Sequence, residues 1–200
     1  AAGGLVGEVV QVWRPRELNT HETEWGFSCM SYEISGALGI KMANPNKEVI
    51  SFVGDGSYLL NNTDIYSSVI TKNKLIIIVC DNGGFAVINR LQLFKGGNEY
   101  NNLLKSSNTP GLVDVDFAKH AESMGAKSEH VNSISDLEEA FKRAKKSDVT
   151  YVISIKTHAY QWLEGSAFWD SPTLEIPTTD ENKEALKLYK EGKSKQRQGV

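Results

Sequence analysis

Two polar clusters, each placed directly after an apolar run, carry groups able to hold a divalent metal and an anion together. The run Val49-Ile50-Ser51-Phe52-Val53 empties into Gly54-Asp55-Gly56-Ser57, and the aliphatic run 75–80 empties into Asp81-Asn82-Gly83-Gly84. Ligands of open α/β sheets bind beyond the carboxyl ends of the strands, so residues at these two positions are the ones placed to reach a ligand. The glycines let backbone N–H groups approach a bulky anion, and Asp55 offers a hard oxygen. If the two runs are neighbouring strands, Asp55 and Asn82 meet at one end of the sheet although they are far apart in sequence. Magnesium takes octahedral oxygen coordination and commonly bridges one or two protein oxygens to phosphate oxygens and water. Asp55, Asn82 and a carbonyl near Gly84 supply three such oxygens, while loop amides and helix N-termini suit the rest of a diphosphate. Taken alone, Gly-Asp-Gly-Ser more often marks a tight turn with a helix cap. Its pairing with Asp81-Asn82 is what points to a metal diphosphate.

The elements that must present these residues alternate along the chain. Leu5, Val6, Val9, Val10 and Trp13 recur at helical spacing and stop at Arg14-Pro15, where proline disfavours helical geometry in the preceding residue. A polar connector over 16–24 leads to a second helical pattern, with Ile34, Leu38 and Met42 on one face and Gly36 and Gly39 permitting close packing, closed by Asn44-Pro45-Asn46. The strand over 49–53, a helix over 62–71 and the strand over 75–80 follow. Later come a helix over 116–124, a weaker strand over 127–131, a helix over 136–146 and a strand over 149–155. This alternation predicts a three-layer α/β/α domain with a mainly parallel sheet of about six strands. Residues 92–110, rich in Asn, Gly and Ser, are too long for an idle connection and read as a surface or active-site loop. Trp162, Phe168 and Trp169 read as an irregular cover, and the charged tail from Asp180 as an exposed helix. We therefore divide the chain into a diphosphate-binding domain over 1–178 and a C-terminal helical tail over 179–200.

The composition agrees with this reading. The chain has 200 residues, 40% of them hydrophobic and 24% charged, which is ordinary for a globular protein and excludes disorder, collagen and a disulfide mini-protein. A net charge of -3 gives no electrostatic reason to expect nucleic acid as a partner. No apolar run approaches the roughly 18 residues that cross a bilayer, so no membrane association is expected. Cys29 and Cys80 have neither metal-site nor secreted-framework spacing, and read as reduced thiols of a cytoplasmic protein. The amino end lacks Met and begins in mid-pattern, as a piece of something longer would.

Gly54-Asp55-Gly56 followed downstream by Asn82 resembles the signature of thiamine-diphosphate-dependent enzymes, in the domain that holds the cofactor's diphosphate and its magnesium. The resemblance implies Asp55 and Asn82 as side-chain ligands of Mg2+, Gly84 as a carbonyl ligand, and Gly56 and Ser57 as contacts of the diphosphate, with Gly54, Cys29 and Phe85 completing the cofactor set. Asp81 stands where the family commonly has the first Asn of an Asn-Asn pair. Upstream, Gly26-Phe27-Ser28-Cys29-Met30-Ser31-Tyr32 is similar to the segment that receives the cofactor's middle and its aminopyrimidine ring. Met30 falls at the position of the side chain that wedges the cofactor into a bent shape, and Ser28 at the position whose carbonyl accepts from the cofactor's amino group. The family usually has Gly after this methionine, where this chain has Ser31.

Longer stretches, Trp13-Arg14-Pro15-Arg16, Asn19-Thr20, residues 25–41, Asp81-Asn82-Gly83-Gly84-Phe85 and Ile88-Asn89-Arg90-Leu91-Gln92, resemble the hydrolytic branch that opens a cyclic 1,2-diketone in myo-inositol breakdown. Ala86-Val87 and the loop 93–102 depart from that branch. The resemblance implies that the activating glutamate lies in a separate pyrimidine-binding domain of a neighbouring subunit, outside this chain, within a homodimer or homotetramer. The isolated chain is then expected to be inactive. Glu22, Glu24 and Glu33 read as solvated or capping residues, and His120 and His130 as structural; His21 and His158 stay open. Two other functions remain: an acetolactate-synthase-like carboligase or 2-oxoacid decarboxylase, and a non-enzymatic interaction domain that kept the fold.

Overall fold

Why the two polar clusters meet follows from strand pairing. In the computed structural model, which describes residues 3–24, 26–163 and 173–197, strands β1 (Ile50–Gly54), β2 (Ile76–Asp81), β3 (Lys127–Val131) and β4 (Tyr151–Lys156) form one parallel sheet in the order β1-β2-β4-β3. β2 is central and its run Ile-Ile-Ile-Val is buried on both faces, as a parallel strand covered by helices requires. Ile77 and Val79 point to a core completed by helices α2 (Tyr32–Ala43), α4 (Thr63–Ile70) and α6 (Phe117–Ser123), and Ile76 and Ile78 to a core completed by α7 (Ile134–Lys146). Helix α1 (Gly4–Val12) leads to Trp13, whose ring meets Phe52 of β1 edge-on at 6.2 Å. The three-layer α/β/α class is as the alternation predicts. The sheet has four strands among the described residues, not about six: only the runs over 50–54, 76–81, 127–131 and 151–156 pair. The other apolar segments have helical spacing.

Two helices lie where none was expected. Helix α3 (Asp55–Leu60) starts on the residue after β1, so Asp55 is already helical, and α5 (Ala86–Phe94) takes the start of the predicted loop. α3 is short and begins on the polar Asp55-Gly56-Ser57, while α5 begins on the apolar Ala86-Val87-Ile88 just after the glycine turn. The rest of the loop is not idle: Leu103 is buried, pairs with Gly84 as an isolated antiparallel bridge, and precedes a 3-10 turn, Leu104–Ser106. Trp25, Phe168 and Trp169 lie outside the described residues. None of the helices among the described residues is long and apolar enough to cross a membrane.

Helix α8 (Asp180–Lys195) is capped by the Thr179 hydroxyl, which accepts from Asn182 N. Expected to be exposed throughout, it is anchored at its first turns, where Asn182 and Ala185 are buried and Asn182 Nδ2 donates to Gly96 O at 2.7 Å. Gly96 has φ +78, and a Cβ there would stand 2.6 Å from Glu181 O. The Gly96→Ala variant is expected to lose about 1–2 kcal/mol and to speed amide exchange in α8 while sheet amides keep their protection. Unchanged exchange in α8 would show that the helix is not held at this point.

Candidate cofactor and metal site

The register pairs Gly54 of β1 with Cys80 of β2, so Asp55 and Asp81-Asn82 leave the sheet side by side. Asp55 and Asp81 are each 5% exposed. Asp55 Oδ2 accepts from Gly84 N at 2.7 Å, and Asp81 Oδ1 accepts from Gly83 N at 2.9 Å. The two carboxylates thus fold the residues after β2 into a turn that carries Asn82 between them. The turn is closed from outside by the loop after α5: Phe85 N donates to Asn102 O at 2.7 Å and Leu104 N to Gly83 O at 2.9 Å. Only glycine fits at 84, which has φ +140 and where a Cβ would lie 2.5 Å from Asn102 O.

Within this turn Asn82 Oδ1 is buried with no hydrogen-bond partner. A buried amide oxygen without a partner is costly, and it belongs to the turn that two carboxylates hold. Burial, and then the charge of Asp81, push the Asp55 pKa up to about 6 despite donation from the Gly84 and Gly56 backbone. Hard oxygens, an orphaned amide oxygen and crowded negative charge are the conditions a magnesium ion relieves. The residues present therefore fit the metal. Among the described residues no group of three or more His, Cys, Asp and Glu side chains forms a metal cage, so any metal here would rely on this mixed donor set. Lys156, at the end of β4, reaches Asp81 Oδ2 at 2.6 Å and Asp114 Oδ1 at 2.8 Å. Burial works against its charge, but hydrogen bonds to Asp114 and Asp81 raise its pKa overall.

The segment upstream of α2 meets the same place. A Cβ on Gly56 would stand 2.7 Å from a Phe85 ring carbon and 3.5 Å from the Met30 methyl carbon, so Met30, Gly56 and Phe85, from three separate stretches, share one spot. Ser57 is buried, and its Oγ accepts from Ser31 N at 3.4 Å. Ser28 and Ser31 have φ +53 and +71, and the Ser31 hydroxyl turns back to Met30 O. Glu24 shapes this entry: its two carboxylate oxygens accept from Phe27 N at 2.7 Å and Cys29 N at 2.6 Å, and those bonds hold its pKa below the usual range. Expected to be solvated or to cap a helix, it instead ties the loop before α2, which has no side-chain cap. Ser28 and Cys29 are exposed beside it. Cys80 is a different thiol, pushed up to about 11 by burial and by the nearby Asp55 and Glu8 charges.

His120 and His130 are bonded elsewhere, although His130 lines one cavity together with Asp81, Asp114 and Lys156. His120 Nδ1 pairs with the buried Tyr58 hydroxyl at 2.9 Å, and His130 bonds Ser154 and Asn132. His21 lines a cavity of about 310 Å3 between α1, the connector, α2 and β1, and His158 is exposed. Sequence reasoning missed Lys156 and the Asn102–Leu104 strap. A lysine directly after a buried strand run was a signal for the first; nothing local marked the second.

Residues 1–155 match the family described as thiamine pyrophosphate enzyme, C-terminal TPP binding domain. The chain is similar to 3D-(3,5/4)-trihydroxycyclohexane-1,2-dione hydrolase of Shouchella clausii, with 36% identity over 187 residues, 92% of this chain and 29% of that enzyme. The enzymes of the same name from Bacillus subtilis and Clostridium tetani are 37% and 38% identical over 84% of this chain, and it spans 26% and 27% of their length. Among solved structures, the thiamine diphosphate-dependent 4-hydroxybenzoylformate decarboxylase of Rhodococcus jostii RHA1 has a TM-score of 0.54 at 27% identity, covering 64% of this chain and 23% of that one.

Two outcomes follow from the geometry. A non-glycine residue in left-handed conformation costs about 1 kcal/mol or more, so Ser31→Gly should raise the urea midpoint; a lower midpoint would mean the Ser31 hydroxyl contributes more than its backbone costs. The raised Asp55 pKa makes its contribution favourable below about pH 4 and lost as pH rises through about 6. In chelator, Asp55→Asn should therefore be more stable than the parent at pH 7, with the advantage vanishing towards pH 4. A pH-independent difference between the two proteins would contradict this assignment.

Proposed function

The chain belongs to the thiamine pyrophosphate enzymes, as their C-terminal cofactor-binding domain, and from that premise we propose that it holds thiamine diphosphate through a magnesium ion at the ends of β1 and β2. The observation that carries this reading is the buried, unpartnered Asn82 Oδ1, set in a turn that Asp55 itself folds through Gly84 N. Asp55 and Asn82 would ligate the ion through side chains and Gly84 through its carbonyl. Gly54, Gly56 and Ser57 would face the diphosphate, and Ser28, Cys29, Met30 and Phe85 the body of the cofactor. When bound, thiamine diphosphate supplies the carbon nucleophile and the electron sink for breaking a bond next to a carbonyl. The chain's own part is positional: a metal anchor, a wedge at Met30 and an entry held rigid by Glu24.

For the whole protein we propose hydrolysis of the C–C bond between the two carbonyls of a cyclic 1,2-dione, a trihydroxycyclohexane-1,2-dione, with one water consumed and the ring opened to an acid. Identities of 36–38% to hydrolases of that substrate favour this over the decarboxylation performed by the 27% identical structural relative. Retention of Asp55 and Asn82, which cost solvation when buried without a ligand, weighs against an interaction domain. In this proposal residues 1–178 form the cofactor domain and 179–200 an appended helix. A pyrimidine-binding domain of a neighbouring subunit completes the site within a cytoplasmic homodimer or homotetramer.

Calorimetric titration of thiamine diphosphate into the chain is expected to show binding with magnesium, none with chelator, and none in Asp55→Ala. Equal affinity in Asp55→Ala would refute the metal site. With the full-length protein, ring opening of the cyclic dione rather than carbon dioxide release from pyruvate is expected; the reverse would assign the decarboxylase chemistry.

A further inference from the structure

Asp81 is a buried carboxylate at the neck of the metal-bearing turn, and each of its oxygens has a separate task. Oδ1 accepts from Gly83 N at 2.9 Å, and Oδ2 meets Lys156 Nζ at 2.6 Å. Its backbone is fixed as well: Asp81 pairs with Lys156 in the sheet register, and Thr157 N donates to Asp81 O at 2.7 Å. Lys156 is steadied from its far side by Asp114 at 2.8 Å. Asp81 itself is 5% exposed, while the Lys156 side chain is 54% exposed. The ammonium therefore reaches in from the solvent edge to a mostly buried carboxylate.

A buried charge left without its partner is costly, and here the relief available to it would disturb the site. Asp81 stands beside Asp55, close enough for its charge to bear on that carboxylate. Without a cation on Oδ2, the Asp81 carboxylate would swing towards solvent, and that move would release Gly83 N. The turn that presents Asn82 and Gly84 would then lose its inner hydrogen bond. An amide at position 81 would keep an oxygen for Gly83 N without any charge to balance.

The geometry points to Lys156 as a positioning residue that, by neutralising Asp81, holds the Asp81–Gly84 turn in the shape that binds the magnesium diphosphate. This rests on the cofactor reading above and adds to it a residue on a strand that contributes no ligand. The dependence is specific: Lys156 is needed because residue 81 is Asp, and the need should disappear when residue 81 is Asn.

The test is a cycle of four proteins, the parent chain, Lys156→Met, Asp81→Asn and the double variant, with Lys156→Arg as the conservative control. Partners that orient metal ligands typically alter metal affinity about 10–100-fold when removed, so Lys156→Met should raise the magnesium concentration for half-saturation at fixed thiamine diphosphate by about tenfold or more. Lys156→Arg should stay near the parent, and Lys156→Met should change little in the Asp81→Asn background. An equal loss in both backgrounds, or no loss in either, overturns the proposal. Amide exchange of Gly83 and Gly84, measured without cofactor, reads the turn directly. It should quicken in Lys156→Met and return to the parent rate in the double variant. If no protein binds the cofactor, the cofactor reading fails by itself, and unchanged Gly83 exchange in Lys156→Met then overturns the positioning role on its own terms.

Discussion

Two buried carboxylates, Asp55 and Asp81, placed side by side by the parallel pairing of β1 and β2, set the terms for everything at this end of the molecule. Like charges in a poorly hydrated space repel, and each must be met by donors or cations. The structure meets them from two directions: backbone N–H groups of Gly83 and Gly84, and the Lys156 ammonium from β4. The polypeptide between the carboxylates, Asn82 to Gly84, has little freedom left once those bonds form.

That constraint explains features remote in sequence. The Asn102–Leu104 strap lies over Gly84 because the turn needs an outer wall as well as inner hydrogen bonds, and glycine at 84 is what lets the strap approach. On the other side, Glu24 ties two backbone amides of the segment before α2, so that Met30 arrives against Gly56 and Phe85. The site is therefore assembled from four stretches of chain, each secured by hydrogen bonds to main-chain atoms.

The layered core is what makes these bonds possible. Ile76 to Val79 are buried on both faces of the central strand, and their register decides which residues emerge together at its carboxyl end. A slip of one residue would exchange the two faces and carry Asp81 away from Asp55. The apolar packing and the polar site are in this sense one specification.

The sequence by itself determined the fold class, the two strands that matter and the placement of Asp55 and Asn82 at their ends, because burial runs and the residues that end them are local patterns. It also made Met30 and Phe85 legible through their resemblance to a known cofactor site. The tertiary structure alone decided the number of paired strands, the helical start at Asp55, the anchoring of α8 on Gly96, the strap over Gly84 and the reach of Lys156 to Asp81. These depend on the β1-β2-β4-β3 order, which sets β4 against β2 across a long excursion of chain. No spacing along the chain encodes which distant lysine will face a buried aspartate. That is settled by which strands share hydrogen bonds and by the cost of leaving a charge unpaired.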